Sequence, residues 1–269
     1  MDLARDLRTT ALWLAEPGDW LLRRLRGRPD LPPLWLRRHV GPVGQFEHAG
    51  RAMAELIQRL GLVREGDRML DVGCGCGGMV PYLCGLSGPS GSYVGFDVHA
   101  PSIRWCNGHY ALDRRLRFEL AAVTSPYGDN SSAQPASSYR FPVADGEADF
   151  ILVKSVFTHL LEASARHYLA EIRRTLRPGR SALVTAFLFD EAVRPPAFPH
   201  PDEHPEERSG VRWLRRVRPE AAVAYERRLF ERMVAEAGLA VQSFLPGFWP
   251  GTAAHPSGQD CLIVGVAQA

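Results

Sequence analysis

The stretch Asp71–Gly78 places a carboxylate two residues before a series of glycines, in the order DVGCGCGG. Glycine has no side chain, so the backbone at such positions comes close to a ligand, and a helix that follows offers free N–H groups. Gly73, Gly75 and Gly78 fit the G-x-G-x-x-G pattern of a dinucleotide-binding turn. Asp71 with Gly73, Gly75 and Gly77 fits a second pattern, D-x-G-x-G-x-G. The turn alone predicts a nucleotide-type ligand and leaves its identity open.

A second carboxylate supports a nucleoside ligand. Asp97 ends the apolar run YVGFDV, about twenty residues after the turn, as a ribose-binding acid does. A carboxylate at that position accepts hydrogen bonds from both ribose hydroxyls. Both a dinucleotide and S-adenosylmethionine, the ligand of D-x-G-x-G-x-G turns, carry such a ribose. Asp97 therefore predicts an adenosine-type ligand, with a plain strand-end cap as the structural alternative.

The surrounding sequence alternates strands and helices. We expect strands at RMLDVG, SYVGFDV, LRFELAAV, ADFILVKSVF and SALVTAFLF, separated by helices at MVPYLCGL, SIRWCNGHYALDRR and THLLEASARHYLAEIRRTL. This alternation predicts a mostly parallel sheet with helices on both faces and right-handed crossovers. Ligands bind such sheets at the carboxyl ends of the strands. The glycine turn follows the first strand, where that rule places it.

The two ends of the chain predict the rest of the architecture. EAAVAYERRLFERMVAEAGL reads as a helix, and AVQSFLPGFW and QDCLIVGVAQ as an antiparallel strand pair, since no helix fits between them. The fold class is therefore α/β, a Rossmann-like doubly wound, seven-stranded, mostly parallel sheet with an antiparallel last strand. We expect a helical cap over residues 1–45 and one domain over 46–269, with a proline-rich lid insertion near 190–222.

Composition excludes several classes of function. The 269 residues carry a net charge of +2, which gives no electrostatic signature of nucleic-acid binding. None of the five cysteines belongs to a spaced pair-of-pairs arrangement, so we expect reduced thiols, no metal site and a cytoplasmic protein. No apolar run is long enough to cross a membrane. The sequence is compatible with a homodimer.

Residues 11–28, ALWLAEPGDWLLRRLRGR, have helical apolar spacing with basic residues between. Such a helix can lie on a membrane surface. A helix that packs its apolar face over its own domain has the same pattern, and this second interpretation is the one we expect.

Three features favour the methyl donor over a dinucleotide. Asp71 occupies a position where a dinucleotide site has an apolar residue, and its carboxylate could hold the turn's N–H groups and reach a cationic amine. The chain ends in an antiparallel strand pair, unlike a dinucleotide-binding half. The fourth strand runs into KSVFTHL, and its helix closes with LRPGR before the fifth strand.

Five segments in this order, MLDVGCGCGG, YVGFDV, FPVADGEADFILVKSVFTHLL, YLAEIRRTLRPGR and QDCLIV, together resemble class I S-adenosylmethionine-dependent methyltransferases. The resemblance covers about residues 40–268. LRRHVGPVGQFEHAG and the late PGFWPG also resemble a bacterial subfamily of small-molecule methyltransferases. The function we expect is transfer of a methyl group from S-adenosylmethionine to an oxygen atom of a small-molecule acceptor, such as a sugar or a natural-product intermediate, with N- and C-methylation as alternatives.

The resemblance also implies the roles of individual residues. The methionine part would be wrapped by Gly73, Cys74, Gly75 and Gly77. Asp97 would hold the ribose, Val98 would pack beside the adenine, Ala122 and Val123 would flank it, and Lys154 and Ser155 would meet the methionine amine through backbone carbonyl. Many relatives have an acid at the position of Ala122. A backbone carbonyl or Asp129 could take over its hydrogen bond.

Transfer to a hydroxyl needs a base, and histidine suits that role because its ordinary pKa is about 6.5. His159 is the candidate, at the expected start of the helix after the fourth strand. It could instead cap that helix. His200, His204 and His255 are weaker alternatives, and Asp190 could orient the acceptor.

Rival functions are a dinucleotide-dependent oxidoreductase, a nucleic-acid methyltransferase, and a methyltransferase-like protein that catalyses another reaction or serves as a partner.

Overall fold

The computed structural model describes residues 3–125, 127–128, 134–190, 197–198, 200–201, 210–249 and 258–267, with side chains from residue 11 onward and not for 200–201. Its helices are α1 Leu3–Leu25, α2 Leu34–His39, α3 Phe46–Arg59, α4 Val80–Ser87, α5 Ala100–His109, α6 Glu162–Thr175 and α7 Arg227–Glu236. Its strands are β1 Arg68–Val72, β2 Ser92–Asp97, β3 Leu116–Leu120, β4 Ala148–Val153, β5 Leu176–Phe189, β6 His200–Pro201, β7 Val211–Trp213, β8 Val223–Glu226, β9 Leu239–Leu245 and β10 Asp260–Val266.

Seven of these strands form the expected sheet. The parallel strands run in the order β3-β2-β1-β4-β5, and β10 and β9 continue the sheet beyond β5. β10 is antiparallel to both of its neighbours, β5 and β9. The doubly wound fold with an antiparallel strand near its end is therefore confirmed.

The core lies on both faces of the sheet because side chains alternate along a buried strand. In β4, Ile151 and Val153 belong to one apolar cluster, whereas Phe150 and Leu152 belong to the other. α6 and α7 contribute to the first cluster, and α3, α4 and α5 to the second. All four of these β4 side chains are fully buried, so the strand that leads into Lys154 is held rigidly.

The region near residues 190–222 contains three short additional strands. β8 pairs in parallel with the end of β5, β7 pairs antiparallel with β8, and β6 with β7. The expected helix at EAAVAYERRLFERMVAEAGL begins only at Arg227, because Val223–Glu226 form β8. Val, Ala and Tyr in that stretch are buried against the sheet extension, and this packing decides their conformation.

The N-terminal residues fold as helices. α1 runs through Pro17, and α2 begins directly after Pro33, which ends the loop that separates the two helices. Neither α1 nor any other helix in the described ranges is both long and apolar enough to cross a bilayer.

Candidate functional site

The glycine turn follows β1 and has a backbone that only glycine adopts readily. Gly73, Gly75 and Gly77 have φ of 74°, 53° and 73°, in the left-handed region. The turn is tied to β2, since the amides of Gly73 and Cys74 both donate to the carbonyl of Phe96, at 2.9 and 3.1 Å. A side chain at Gly75 would place its Cβ 2.5 Å from Val40 Cγ1, so space and backbone both require glycine there.

Asp97 at the end of β2 is bonded to the same turn. Its carboxylate accepts the amides of Gly75 and His99, both at 2.8 Å. Burial raises the pKa of Asp97, and these two backbone donors work against that shift. Two ionised oxygens offer about four acceptor positions, so capacity remains for a ribose diol.

Asp71 is buried on β1 and does not hold the amides of the turn, contrary to expectation. Its carboxylate accepts the Tyr93 hydroxyl at 2.6 Å, because the turn's own amides are taken by Phe96 and Asp97. Burial raises the pKa of Asp71 to about 7, opposed by the Tyr93 hydrogen bond and the nearby Lys154 ammonium. Burial also lowers the pKa of Lys154.

Ser155 has a strained backbone at the carboxyl end of β4. With φ of 61°, it is the only non-glycine residue with positive φ in the described ranges. The Ser155 amide donates to the Thr185 hydroxyl on β5 at 2.7 Å. The hydroxyls of Ser155 and Thr185 both donate to the Gln259 side-chain oxygen. Strain of this kind costs about 1–3 kcal/mol and concentrates at functional sites.

These elements surround a cavity of about 540 Å³, within the roughly 300–1,000 Å³ of small-molecule pockets. Among the predicted site residues, ten line it: Asp71, Gly73, Cys74, Gly75, Asp97, Val98, Val123, Lys154, Ser155 and His159. Gly77 lies outside the lining, where a Cβ would meet Cys106 and Tyr110. Ala122 is also outside it, and its carbonyl accepts the amide of Gln134 at 2.9 Å.

The opposite wall comes from the N-terminal region. His39, Val40, Pro42 and Phe46 line the cavity, and the His39 ring stacks on His99 with centroids 3.7 Å apart. The expectation of a helical cap over residues 1–45 did not place His39, Val40 and Pro42 in the site, and Phe46, the first residue of the expected domain, was not a site candidate either. The only signal was LRRHVGPVGQFEHAG, which contributes to the resemblance without indicating what it contacts.

His159 lies in a short 3-10 helix, Phe157–His159, and not at the start of α6 as expected. Its Nδ1 lies 3.0 Å from the Glu220 carbonyl and 3.2 Å from the Tyr127 hydroxyl. A carbonyl only accepts, so Nδ1 carries the proton and Nε2 has the lone pair of the neutral ring. Burial lowers the pKa of His159, opposed by the Glu220 carbonyl, and this favours the neutral form.

Asp190, the candidate for orienting the acceptor, does not line the cavity. Asp190 is exposed at the end of β5. Asp129, His204, His255 and most of HPDEHPEE lie outside the described residues, as does the side chain of His200.

Cys74 and Cys76 in the turn are buried and reduced. Burial raises the pKa of both thiols, that of Cys76 to about 12, so neither is a ready metal ligand or nucleophile. Within the described part of the chain, no three histidine, cysteine or acidic residues form a metal-binding group.

The cavity fits S-adenosylmethionine in its chemistry. Asp97 offers acceptors for the ribose, and Val98 and Val123 are apolar walls for a base. The Asp71 carboxylate also lines the cavity and could attract the cationic methionine amine. Because the turn consists largely of glycines, backbone atoms form the cavity wall there.

Comparison with known proteins agrees with this geometry. A fatty-acid O-methyltransferase of Mycolicibacterium smegmatis is 30% identical over 141 residues, which cover 52% of this chain and 42% of that protein. The chain thus spans less than half of the length of this curated relative.

Two solved structures share the fold. The 1,6-didemethyltoxoflavin-N1-methyltransferase of Burkholderia thailandensis, solved with its substrate and S-adenosylhomocysteine, has a TM-score of 0.55 and 17% identity, covering 93% of this chain and 87% of that one. The mitomycin 7-O-methyltransferase has a TM-score of 0.54 and 18% identity, covering 95% and 60%.

Residues 46–243 match the family model described as a methyltransferase domain. Because this match covers well over half of the chain, the chain belongs to the methyltransferase-domain family, as a class I member that uses S-adenosylmethionine.

Proposed function

We propose that the protein methylates an oxygen atom of a small-molecule acceptor, with His159 as the general base. S-adenosylmethionine, when bound, supplies a methyl group that is already activated on a sulfonium sulfur. The protein's task is then to align the acceptor and to remove its proton. The observation that carries the proposal is the His159 hydrogen bond to the Glu220 carbonyl, which leaves Nε2 able to accept that proton.

The donor half of the proposal assigns roles to the residues around the turn. Gly73, Cys74 and Gly75 would contact the methionine part through backbone, and Asp97 would accept the ribose hydroxyls. The backbone carbonyls of Lys154 and Ser155 would accept hydrogen bonds from the methionine amine of the donor. Gly77 acts on this half indirectly, because its close packing on Cys106 and Tyr110 fixes the turn. Ala122 would act through the backbone that positions Val123.

The acceptor half rests on the wall that contains His159 and Tyr127. The Tyr127 ring lies edge-on to the His159 ring with centroids 4.8 Å apart, and the 3-10 helix holds His159 between β4 and α6. A proton that passes from an acceptor hydroxyl to Nε2 makes the ring cationic. The Glu220 carbonyl would then stabilise the imidazolium through Nδ1–H.

The acceptor class is the open part of the proposal. The names of three similar proteins refer to methylation of a fatty acid, of mitomycin and of a nitrogen atom of didemethyltoxoflavin. Sugars, hydroxylated natural-product intermediates and fatty acids are therefore the pools to screen, by the appearance of a product heavier by one methyl group. A carboxylate acceptor is already ionised near neutral pH and needs no base, so it would make turnover independent of His159.

A substitution at His159 tests the base assignment. In His159→Ala, calorimetric affinity for S-adenosylhomocysteine should be unchanged, while kcat for a hydroxyl acceptor should fall about 10²–10⁴-fold. His48→Ala is the matched control, because His48 is exposed and does not line the cavity. In the wild type, kcat/KM should fall as pH decreases through a pKa below 6.5, since burial lowers the pKa of His159.

Two results would contradict the proposal. Full turnover of a hydroxyl acceptor by His159→Ala would exclude the base role. Calorimetric binding of NAD with no response to S-adenosylmethionine or S-adenosylhomocysteine would exclude methyl transfer altogether. Asp97→Ala checks the donor half separately, because loss of the ribose acceptors should abolish donor binding.

A further inference from the structure

Helix α1 is docked through its polar face. Arg23 is buried and pairs with Glu16 at 2.5 Å and with Asp19 at 2.7 Å. Asp19 also pairs with Arg37 of α2 at 2.5 Å, and Glu16 accepts the amide of Leu34 at 2.6 Å. These contacts fix the rotation of α1 about its axis. The expectation that this helix packs its apolar face over its own domain is therefore wrong.

Most apolar side chains in the described part of α1, residues 11–25, consequently face solvent, although the Trp13 ring also stacks on Trp35 of α2 with centroids 4.9 Å apart. Leu14, Leu21 and Leu25 are spaced seven and four residues apart and form one row along the helix, with exposures of 79%, 52% and 75%. Trp13, Trp20 and Arg24 have the same spacing and form the adjacent row. Trp13 and Trp20 are about half exposed, and the Arg24 guanidinium lies over the Trp20 ring at 4.7 Å.

The charge of this region is positive. Residues 11–40 contain six arginines and three acidic residues, whereas the whole chain has a net charge of only +2. Each of the three acids, Glu16, Asp19 and Asp30, is already in an ion pair with an arginine of the same region. Arg28 also pairs with Glu47. Among the described residues, Arg24, Arg26 and Arg38 have no acidic partner, and their charge is left to act on a partner.

We propose that the exposed face of α1 docks the protein on an anionic lipid surface. In that setting the leucine row enters the acyl region, and the tryptophan row stays at the level of the headgroups, where amphipathic rings are favoured. Arg24 can keep its aliphatic stem along the apolar surface and reach a lipid phosphate.

A second copy of the chain fits this face less well. A symmetric contact between two α1 helices would bring like patches together, so the excess positive charges of both copies would approach each other. It would also bury Arg24 against apolar side chains, and burying an unpaired charge is costly. An anionic surface attracts the same charges.

Vesicle flotation of the intact 269-residue chain tests the assignment. The protein should float with vesicles of phosphatidylcholine and phosphatidylglycerol in equal parts, and much less with phosphatidylcholine alone. The double variant Leu14→Gln with Leu25→Gln should bind the mixed vesicles more weakly than the wild type, by a factor on the order of ten. Glutamine keeps the helix propensity of both positions, and circular dichroism and donor affinity should be unchanged.

Leu112→Gln with Val217→Gln is the matched control, because both side chains are 99% exposed outside α1. It should float like the wild type. Equal binding to both vesicle types would overturn the anionic assignment, and undiminished flotation of the α1 variant would overturn the docking face. Light scattering that shows a dimer broken by the α1 variant, without vesicle binding, would assign the face to a second copy.

Discussion

At the scale of single residues, the donor side of the cavity contains two buried ionisable side chains, Asp71 and Lys154. Asp71 has one short bond to Tyr93, and Lys154 is the nearby cation. Burial shifts the pKa of each toward its neutral form, upward for Asp71 and downward for Lys154. Burying two ionisable groups costs folding free energy in the ligand-free protein, whereas the Asp71 carboxylate can attract the cationic amine of the donor when it binds. Removing the carboxylate should therefore raise stability and lower donor affinity.

Asp71→Asn should separate the two effects. The folded pKa of about 7 exceeds the ordinary 3.8, so the wild type loses stability as pH rises between these values. From pH 5 to pH 8 its free energy of unfolding should fall by about 3 kcal/mol more than that of the variant. Urea unfolding at both pH values measures this, and calorimetry should show weaker binding of S-adenosylmethionine by the variant.

The control is Asp190→Asn, at an exposed carboxylate after β5. It should follow the wild type at both pH values. An Asp71→Asn variant whose stability decreases with pH as steeply as that of the wild type would show that Asp71 is ionised throughout.

Part of the site could be predicted from sequence because its signal is local. The glycine turn and Asp97 follow predicted strands directly, and the carboxyl ends of parallel strands meet at one edge. The partners of His159 were not accessible in this way. Tyr127 lies 32 residues away and Glu220 lies 61 residues away, so no spacing in the sequence relates them to the histidine.

At the scale of elements, the alternating pattern specified the sheet, whereas packing decided the exceptions. Val223–Glu226 has a helical neighbour but forms a strand, because the end of β5 offers a free edge for pairing. α1 has an amphipathic pattern that predicts helix correctly and does not say which face is buried. One ion pair and one hydrogen bond to α2, from Arg37 to Asp19 and from the Leu34 amide to Glu16, decide that, and each joins residues 18 positions apart.

Two glycines in neighbouring elements should respond oppositely to alanine. Gly85 lies inside α4 with no atom near its Cβ position, so Gly85→Ala should stabilise the protein by about 0.5–1 kcal/mol. Gly75 has φ of 53° and Val40 within 2.5 Å of a Cβ, so Gly75→Ala should destabilise it by about 1–3 kcal/mol.

Thermal unfolding measures both effects. Gly75→Ala should also weaken donor binding, since the amide of Gly75 is bonded to Asp97. A stability equal to that of the wild type would mean that the turn relaxes without cost and that its backbone conformation is not required.

At the scale of the whole molecule, the two ends of the cavity come from distant parts of the chain. The turn packs on the N-terminal region at two points, because a Cβ at Gly75 would contact Val40 and one at Gly78 would lie 3.1 Å from the Phe46 ring. The His39–His99 stack joins the same region to the end of β2. The proposed cap over 1–45 and the proposed domain over 46–269 therefore share one site.

Ligand binding should accordingly slow hydrogen exchange in both regions. With saturating S-adenosylhomocysteine, amides in residues 43–50 should gain protection together with those in 73–78, since stiffening the turn orders what packs on it. Mass spectrometry of peptides from β9 and β10 provides the internal control, where no change is expected. Protection confined to 73–78 would show that the N-terminal region is independent of the donor.

The family match begins at Phe46, so His39, Val40 and Pro42 lie outside the matched segment, yet they line the cavity. One wall of the cavity is thus encoded upstream of the common domain. Because Val40 packs on Gly75 and His39 stacks on His99, two residues from Asp97, this upstream wall supports the donor side of the cavity. Chimeras that join a different upstream segment to residues 46–269 should therefore bind S-adenosylhomocysteine more weakly unless the new segment restores both contacts.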